Sequence, residues 1–181
     1  MKICIIVAPA KINLNLKVLP KRSDGFHAIE SIFQTVFLED ELFVSLENEK
    51  NTCAVQCREM VLPAENTITA AYKAFCLYTG FNQSVSVRLT KRIPSGGGLG
   101  GGSSDAASFV KALAKLSGVS LTAELKDKIA GDVGSDVFFF LRCSCPGCAV
   151  VSGRGEIVSE IALRKDIHIV LVFSGVHSST K

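Results

Sequence analysis

The stretch Pro94-Ser95-Gly96-Gly97-Gly98-Leu99-Gly100-Gly101-Gly102-Ser103-Ser104-Asp105-Ala106-Ala107 decides how this chain is read. Six glycines occupy seven positions. A run so poor in side chains lets backbone N–H groups approach an anion closely, and glycine tolerates the φ/ψ values such a loop needs. A helix follows. Ser103 or Ser104 is a suitable N-cap, Ala106, Phe109, Val110, Leu113 and Leu116 fall at helical spacing, and Gly118 suits its end. Free N–H groups and the positive end of a helix dipole then point the same way, which is the chemistry of a phosphate site. A flexible linker would lack the amphipathic helix directly behind it.

Several phosphate loops are excluded. No Gly-Lys-Ser/Thr follows the glycines, so the lysine of a Walker A loop is missing. Gly96, Gly98 and Gly101 match G-x-G-x-x-G formally, but strands precede the loop. Glu124, near the offset where a dinucleotide fold has its ribose-binding acid, lies in a helical pattern. The HRD and DFG motifs of protein kinases are absent. What remains is a loop-to-helix cradle with serines at its exit, whose hydroxyls can bind phosphate oxygens or a phosphate-bound magnesium.

The 181 residues suffice for one domain with a real core, and 48% hydrophobic with 20% charged residues is an ordinary globular composition. A net charge of +3 is too mild to argue for nucleic acid and is compatible with an anionic ligand. No run approaches the ~18 apolar residues of a membrane span, and the start does not read as a signal peptide. An odd count of seven cysteines points to reduced thiols in the cytoplasm. Cys143, Cys145 and Cys148 form a tempting cluster for a metal. With no fourth ligand at convincing spacing they read as free thiols in a strand connection, and no metal site is expected.

Strands are predicted at Lys2–Val7, Lys11–Val18, Ile32–Val36, Glu41–Leu46, Ser84–Thr90, Val137–Leu141, Ala149–Val151 and Ile167–Phe173. In Lys11–Val18 the alternation sets Ile12, Leu14, Leu16 and Val18 against Lys11, Asn13, Asn15 and Lys17. Asn66 caps a helix ended by Gly80, and another runs near Thr122–Ala130. Strands first, then strands mixed with helices, indicate an α+β fold.

Two further constellations accompany the loop. Lys11 and Asn13 share one strand face. Asp136 stands where the turn Gly131-Asp132-Val133-Gly134-Ser135 enters an apolar strand, and a carboxylate there needs a partner such as a lysine. An Asp–Lys pair beside a nucleotide phosphate can orient and deprotonate a hydroxyl. Read locally, Lys11 and Asn13 can equally be solvated strand polars, and Asp136 a turn residue. Phe26 and His27 in a glycine turn can clamp a heteroaromatic base or simply pack.

Pro9-Ala10-Lys11-Ile12-Asn13-Leu14, Asp24-Gly25-Phe26-His27, the glycine loop with Ser103-Ser104-Asp105-Ala106-Ala107, Gly134-Ser135-Asp136-Val137 and Gly153-Arg154-Gly155-Glu156 stand in the order seen in the GHMP kinase superfamily. The resemblance runs from about Ile6 to Thr180. The glycine loop specifies the superfamily; the Pro-Ala-Lys-Ile-Asn strand with the aromatic-His turn resembles the members acting on a cytidyl-linked methylerythritol of non-mevalonate isoprenoid synthesis. That resemblance implies a mixed or antiparallel sheet with helices on one face, and ATP-dependent phosphorylation of that substrate's 2-hydroxyl. It implies Asp136 as base and Lys11 as the cation beside it. Asn13 would position substrate, Phe26 stack on cytosine and His27 bond its edge. Asn66 would lie near adenine. Pro94, Gly96, Gly97, Gly98, Leu99, Gly100, Gly101, Gly102, Ser103 and Ser104 would wrap the triphosphate and its Mg²⁺, and Thr180 would lie near the reacting hydroxyl. Phe26 replaces the usual tyrosine, which keeps stacking and loses a hydroxyl contact. The resemblance also implies that residues 1–181 are the ATP-binding N-terminal domain, that the C-terminal domain is absent, and that the chain alone turns over weakly or not at all. A mevalonate- or homoserine-type kinase, or a nucleotide-binding domain without turnover, are the competing readings.

Overall fold

The computed structural model describes residues 2–21, 25, 27–163 and 166–173. Six strands and four helices follow in the order β1 (Ile3–Lys21), β2 (His27–Lys50), β3 (Cys53–Cys57), α1 (Thr67–Thr79), β4 (Gln83–Thr90), α2 (Gly101–Ser117), α3 (Ala123–Val133), α4 (Ser135–Arg142), β5 (Cys148–Gly153) and β6 (Ile157–Ile161). The strands form one mixed sheet ordered β3-β4-β2-β5-β6, with β1 paired to β2. All its pairings are antiparallel except β3 with β4. The expected α+β class is what the chain adopts.

Pairs of predicted strands turn out to be single long ones. Lys2–Val7 and Lys11–Val18 are halves of β1, and Ile32–Val36 and Glu41–Leu46 are parts of β2. Register shifts between Pro9 and Ala10 and between Asn13 and Asn15 bend the ladder without ending it. The second shift corrects the expected alternation. Asn13 pairs with Phe33, but Leu16 pairs with Ser31 and Val18 with Ile29. Leu14 is the extra residue, so Leu16 and Val18 stand on the side of Lys11 and Asn13, not opposite to it. β3 and β6 are additional strands that their short, weakly alternating sequences did not announce.

One sheet face is covered. Leu42, Val44, Val85, Val87 and Leu89 point from it into the core, against Ile68, Phe75, Phe109, Leu113, Ile129 and Phe139. α2 is buried almost all round. The alanines at 106, 107, 112 and 114 let sheet and neighbouring helices approach it closely, and every apolar position assigned by helical spacing is buried. Asn66 caps α1 as expected, its Oδ1 accepting from Ile68 N and Thr69 N, and Gly80 and Gly118 close α1 and α2 in the left-handed region.

Three local expectations are overturned. α2 is capped by Gly100, so Ser103 and Ser104 lie inside its first turn. Val137–Leu141 is not a strand but most of α4; a five-residue apolar run cannot distinguish a buried strand from a short buried helix, and Gly134 starts the helix. Ile167–Phe173 forms no strand, because it has no pairing partner among the described residues. No helix among the described residues is long and apolar enough to cross a membrane.

Phe109 is fully buried at the centre of α2. Phe109→Ala is expected to lower unfolding free energy by about 3–5 kcal/mol, read from a urea transition, because the surrounding core cannot collapse into the space.

Candidate active site

The glycine loop owes its path to alternation. Gly96, Gly98 and Gly100 have φ of 75°, 71° and 69°. Every second residue in the left-handed region turns successive N–H groups toward one side, the geometry of an anion nest. The loop lines a hollow of about 350 Å³ together with Thr67, Lys91 and Ser103. All of Pro94 to Ser103 contributes to that wall. Ser104 does not: its hydroxyl is buried beneath the loop without a hydrogen-bond partner. The Asn66 side chain caps α1, and it is Thr67 that reaches the loop, donating to the Gly102 carbonyl at 2.8 Å.

Lys11 binds this loop to the rest of the site. Its backbone N–H donates to the Leu99 carbonyl at 2.9 Å. A Cβ on Gly100 would stand 3.0 Å from Lys11 Cγ and 3.1 Å from Phe140 Cε2, so the missing side chain is what lets the lysine stem cross the loop. The Lys11 ammonium lies 4.5 Å from the Phe33 ring centroid, donates to Asn13 Oδ1 at 2.8 Å and stands 3.4 Å from Asp136 Oδ2. Lys11 is buried and Asp136 is about one-third exposed at its side chain. Asp136 stands in the first turn of α4, where the helix dipole favours its charge. The turn at Gly153–Glu156 packs on the start of α4, with Gly155 against Ser135. The sequence separates Lys11 from Asp136 widely; the fold makes them an ion pair beside the glycine hollow.

His27 is the other predicted residue that the structure describes. Its Nδ1–H donates to the Leu19 carbonyl at 2.9 Å, since a carbonyl only accepts. Nε2 is then the ring nitrogen left for a ligand. Phe26 and Thr180 lie outside the described residues.

Sequence reading missed a buried charge cluster beneath the loop. Lys91 Nζ meets Asp40 Oδ2 at 2.5 Å and Asp105 Oδ2 at 2.9 Å. Asp40 Oδ1 also accepts from Arg92 N at 2.5 Å and Ile93 N at 2.9 Å, fixing the segment that leads into Pro94. Asp105 Oδ1 is buried with no partner. Burial pushes the Asp105 carboxyl up to about 7, against the opposing pull of Lys91. An acid in the apolar helix start Asp105-Ala106-Ala107 and a lysine three residues before the loop were the only signals available.

All seven cysteines are free thiols. Among the described residues no group of three or more His, Cys, Asp or Glu is placed to hold a metal.

Comparison with known proteins places the chain among relatives. Residues 66–144 match the family described as GHMP kinases N terminal domain. The chain is 43% identical over 173 residues to a 4-diphosphocytidyl-2-C-methyl-D-erythritol kinase of Treponema pallidum, covering 96% of this chain and 58% of that protein. It is 43% identical over 176 residues to the kinase of the same name from Thermotoga maritima, covering 97% and 62%. The chain thus spans about three-fifths of the length of these relatives. A crystal structure of 4-(cytidine 5'-diphospho)-2C-methyl-D-erythritol kinase superposes with a TM-score of 0.68 at 36% identity, over 89% of this chain and 56% of that one.

Two outcomes follow from the geometry. Gly100→Ala places a methyl in the path of Lys11 at a φ of 69°. It is expected to weaken nucleotide binding at least tenfold, measured calorimetrically, while an alanine at the open surface position of Gly131 leaves it unchanged. Asp105 has a folded value near 7 against 3.8 for a free carboxyl. Its contribution to stability is complete below pH 3.8 and is lost as pH rises through about 7. Asp105→Asn should flatten the fall in stability across that interval, read as denaturation midpoints from pH 4 to 8. Residues 66–144 thus carry the match to the GHMP kinases N-terminal domain, and the chain has the α+β fold of that domain.

Proposed function

We propose that this chain binds ATP in the glycine hollow and carries the groups that phosphorylate an alcohol placed against Asp136, the alcohol being the 2-hydroxyl of a cytidine-diphosphate-linked methylerythritol. One observation carries the proposal: Lys11 holds Leu99 of the loop by its backbone and faces Asp136 by its ammonium, 3.4 Å away. Phosphate cradle, cation and carboxylate are therefore parts of one site.

The residues present fit a triphosphate. The loop offers converging N–H groups, and the start of α2 adds its dipole. ATP supplies the phosphoryl group, and magnesium carried on it supplies charge neutralisation. Asp136 accepts the proton of the substrate hydroxyl as the hydroxyl oxygen bonds to the γ-phosphorus and the bond from that phosphorus to the departing ADP oxygen breaks. Lys11 faces Asp136 and offsets negative charge on the attacking oxygen; Phe33 beneath the ammonium and Asn13 beside it fix its place. Phosphoryl transfer asks mainly for positioning and charge stabilisation, which these groups provide. Asn13 orients substrate. His27 receives the exocyclic amine of cytosine at Nε2, with Phe26 stacked on the ring and Thr180 near the reacting hydroxyl. The names of the relatives and the unengaged Nε2 of His27 support the cytidyl part. Seven unpaired thiols support a reducing, cytoplasmic setting.

Transfer from ATP to the cytidyl substrate, measured on the chain and on Asp136→Asn, tests the chemistry. The substitution is expected to lower kcat by about 10²–10⁴-fold while nucleotide affinity stays the same. Transfer indifferent to it removes the base assignment. His27→Ala should weaken binding of the cytidyl substrate by roughly fivefold, one lost hydrogen bond. Equal affinity for a cytidine-free alcohol defeats the substrate assignment and leaves the kinase chemistry standing.

A further inference from the structure

Ser31 lies in β2, 2% exposed, behind the Lys11 site. Its hydroxyl has one proton, which goes to the backbone carbonyl of Asn15 at 2.5 Å. That carbonyl only accepts, so Ser31 Oγ is free to receive the Asn13 Nδ2–H, at 2.9 Å. Asn13 consequently turns Oδ1 to Lys11 Nζ, at 2.8 Å, and the ammonium only donates. Every link from Lys11 to the Asn15 carbonyl has a single direction. The amide orientation is therefore set by the chemistry of both ends of the chain of bonds.

The bulge builds this arrangement. Because Leu14 is the extra residue, Asn13 pairs with Phe33 while Asn15 pairs with Ile32, and Asn15 Oδ1 takes the Ile32 N–H at 2.7 Å. In a regular strand the residues at 13 and 15 would share a face. The shift puts Ser31 between the Asn13 side chain and the Asn15 backbone, within reach of both.

We propose that Ser31 is a positioning residue for phosphoryl transfer: it locks the Asn13 amide with its oxygen toward Lys11 and so sets the ammonium against Asp136, without touching substrate itself. This rests on Lys11 and Asp136 being the pair that activates the hydroxyl. With alanine at 31, the Asn15 carbonyl and Asn13 Nδ2 both lose their partner. The amide is then free to rotate, and in the rotated state it sets an N–H group against the ammonium. Lys11 loses one of its fixed contacts and its distance to Asp136 is no longer held.

The test compares wild type, Ser31→Ala and Ser31→Thr by three readouts. These are the side-chain amide signals of Asn13 in ¹⁵N NMR (assigned through Asn13→Asp), calorimetric affinity for a non-hydrolysable ATP analogue, and steady-state kinetics. Ser31→Ala is expected to shift the Asn13 signals and speed their exchange with water. It should lower kcat by up to roughly 10²-fold, as a misplaced reacting group does, and leave nucleotide affinity unchanged. Ser31→Thr, which keeps the hydroxyl, is expected to retain wild-type signals and kcat. Asn13 signals that do not move in Ser31→Ala overturn the proposal. A loss of kcat and nucleotide affinity together also overturns it, since that is general damage to the site. If wild type itself transfers nothing, the kinase reading is what fails, and the amide signals still decide whether Ser31 locks Asn13.

Discussion

The site depends on one residue being in two places at once. Lys11 gives its backbone N–H to Leu99 in the glycine loop and its ammonium to the neighbourhood of Asp136 on α4. A lysine stem can make that crossing only where the loop has no side chain, which is at Gly100. A buried ammonium is costly unless compensated. Here the compensation is the Asp136 carboxylate, the Asn13 oxygen and the face of Phe33. Each of these groups comes from a different part of the fold, so burying this one charge fixes β1, β2, α4 and the loop relative to one another.

A second buried charge cluster plays the matching part under the loop. Asp40 holds the backbone of Arg92 and Ile93 and the ammonium of Lys91, and Lys91 in turn reaches Asp105 near the start of α2. The loop is thus tied at its entry by Asp40, at its middle by Lys11 and at its exit by Thr67. A chain with so many glycines would otherwise lose much conformational entropy on ordering. The three ties let the loop keep glycine for the nest and still hold one shape.

Much of this was legible in the residues. The glycine run announced a loop leading into a helix, helical spacing found the buried face of α2, and Asn66, Gly80 and Gly118 marked helix ends correctly. The order of short motifs indicated the family. Two kinds of information were hidden. Strand continuity and parity were misread because a bulge has no sequence signature of its own; Asn13-Leu14-Asn15 alternates as an ordinary strand would, yet its register shifts. The nature of Val137–Leu141 was misread because five apolar residues fit either a strand or a short helix. That error also changed the setting of Asp136. It stands at a helix start, where the dipole supports its charge, and not at the mouth of a strand. The Asp40–Lys91–Asp105 cluster was invisible because its members are far apart in the chain and each alone looks like a surface charge.

The central claim is that the glycine hollow, Lys11 and Asp136 are one site for a nucleotide and an alcohol. The most direct measurement is a crystal structure of the chain with a non-hydrolysable ATP analogue. The account predicts the phosphate chain in the hollow formed by Pro94–Ser103, with its terminal phosphate within hydrogen-bond reach, roughly 3 Å, of the Lys11 ammonium. A nucleotide bound elsewhere, or one in the hollow with its terminal phosphate directed away from Lys11 and Asp136, would contradict it.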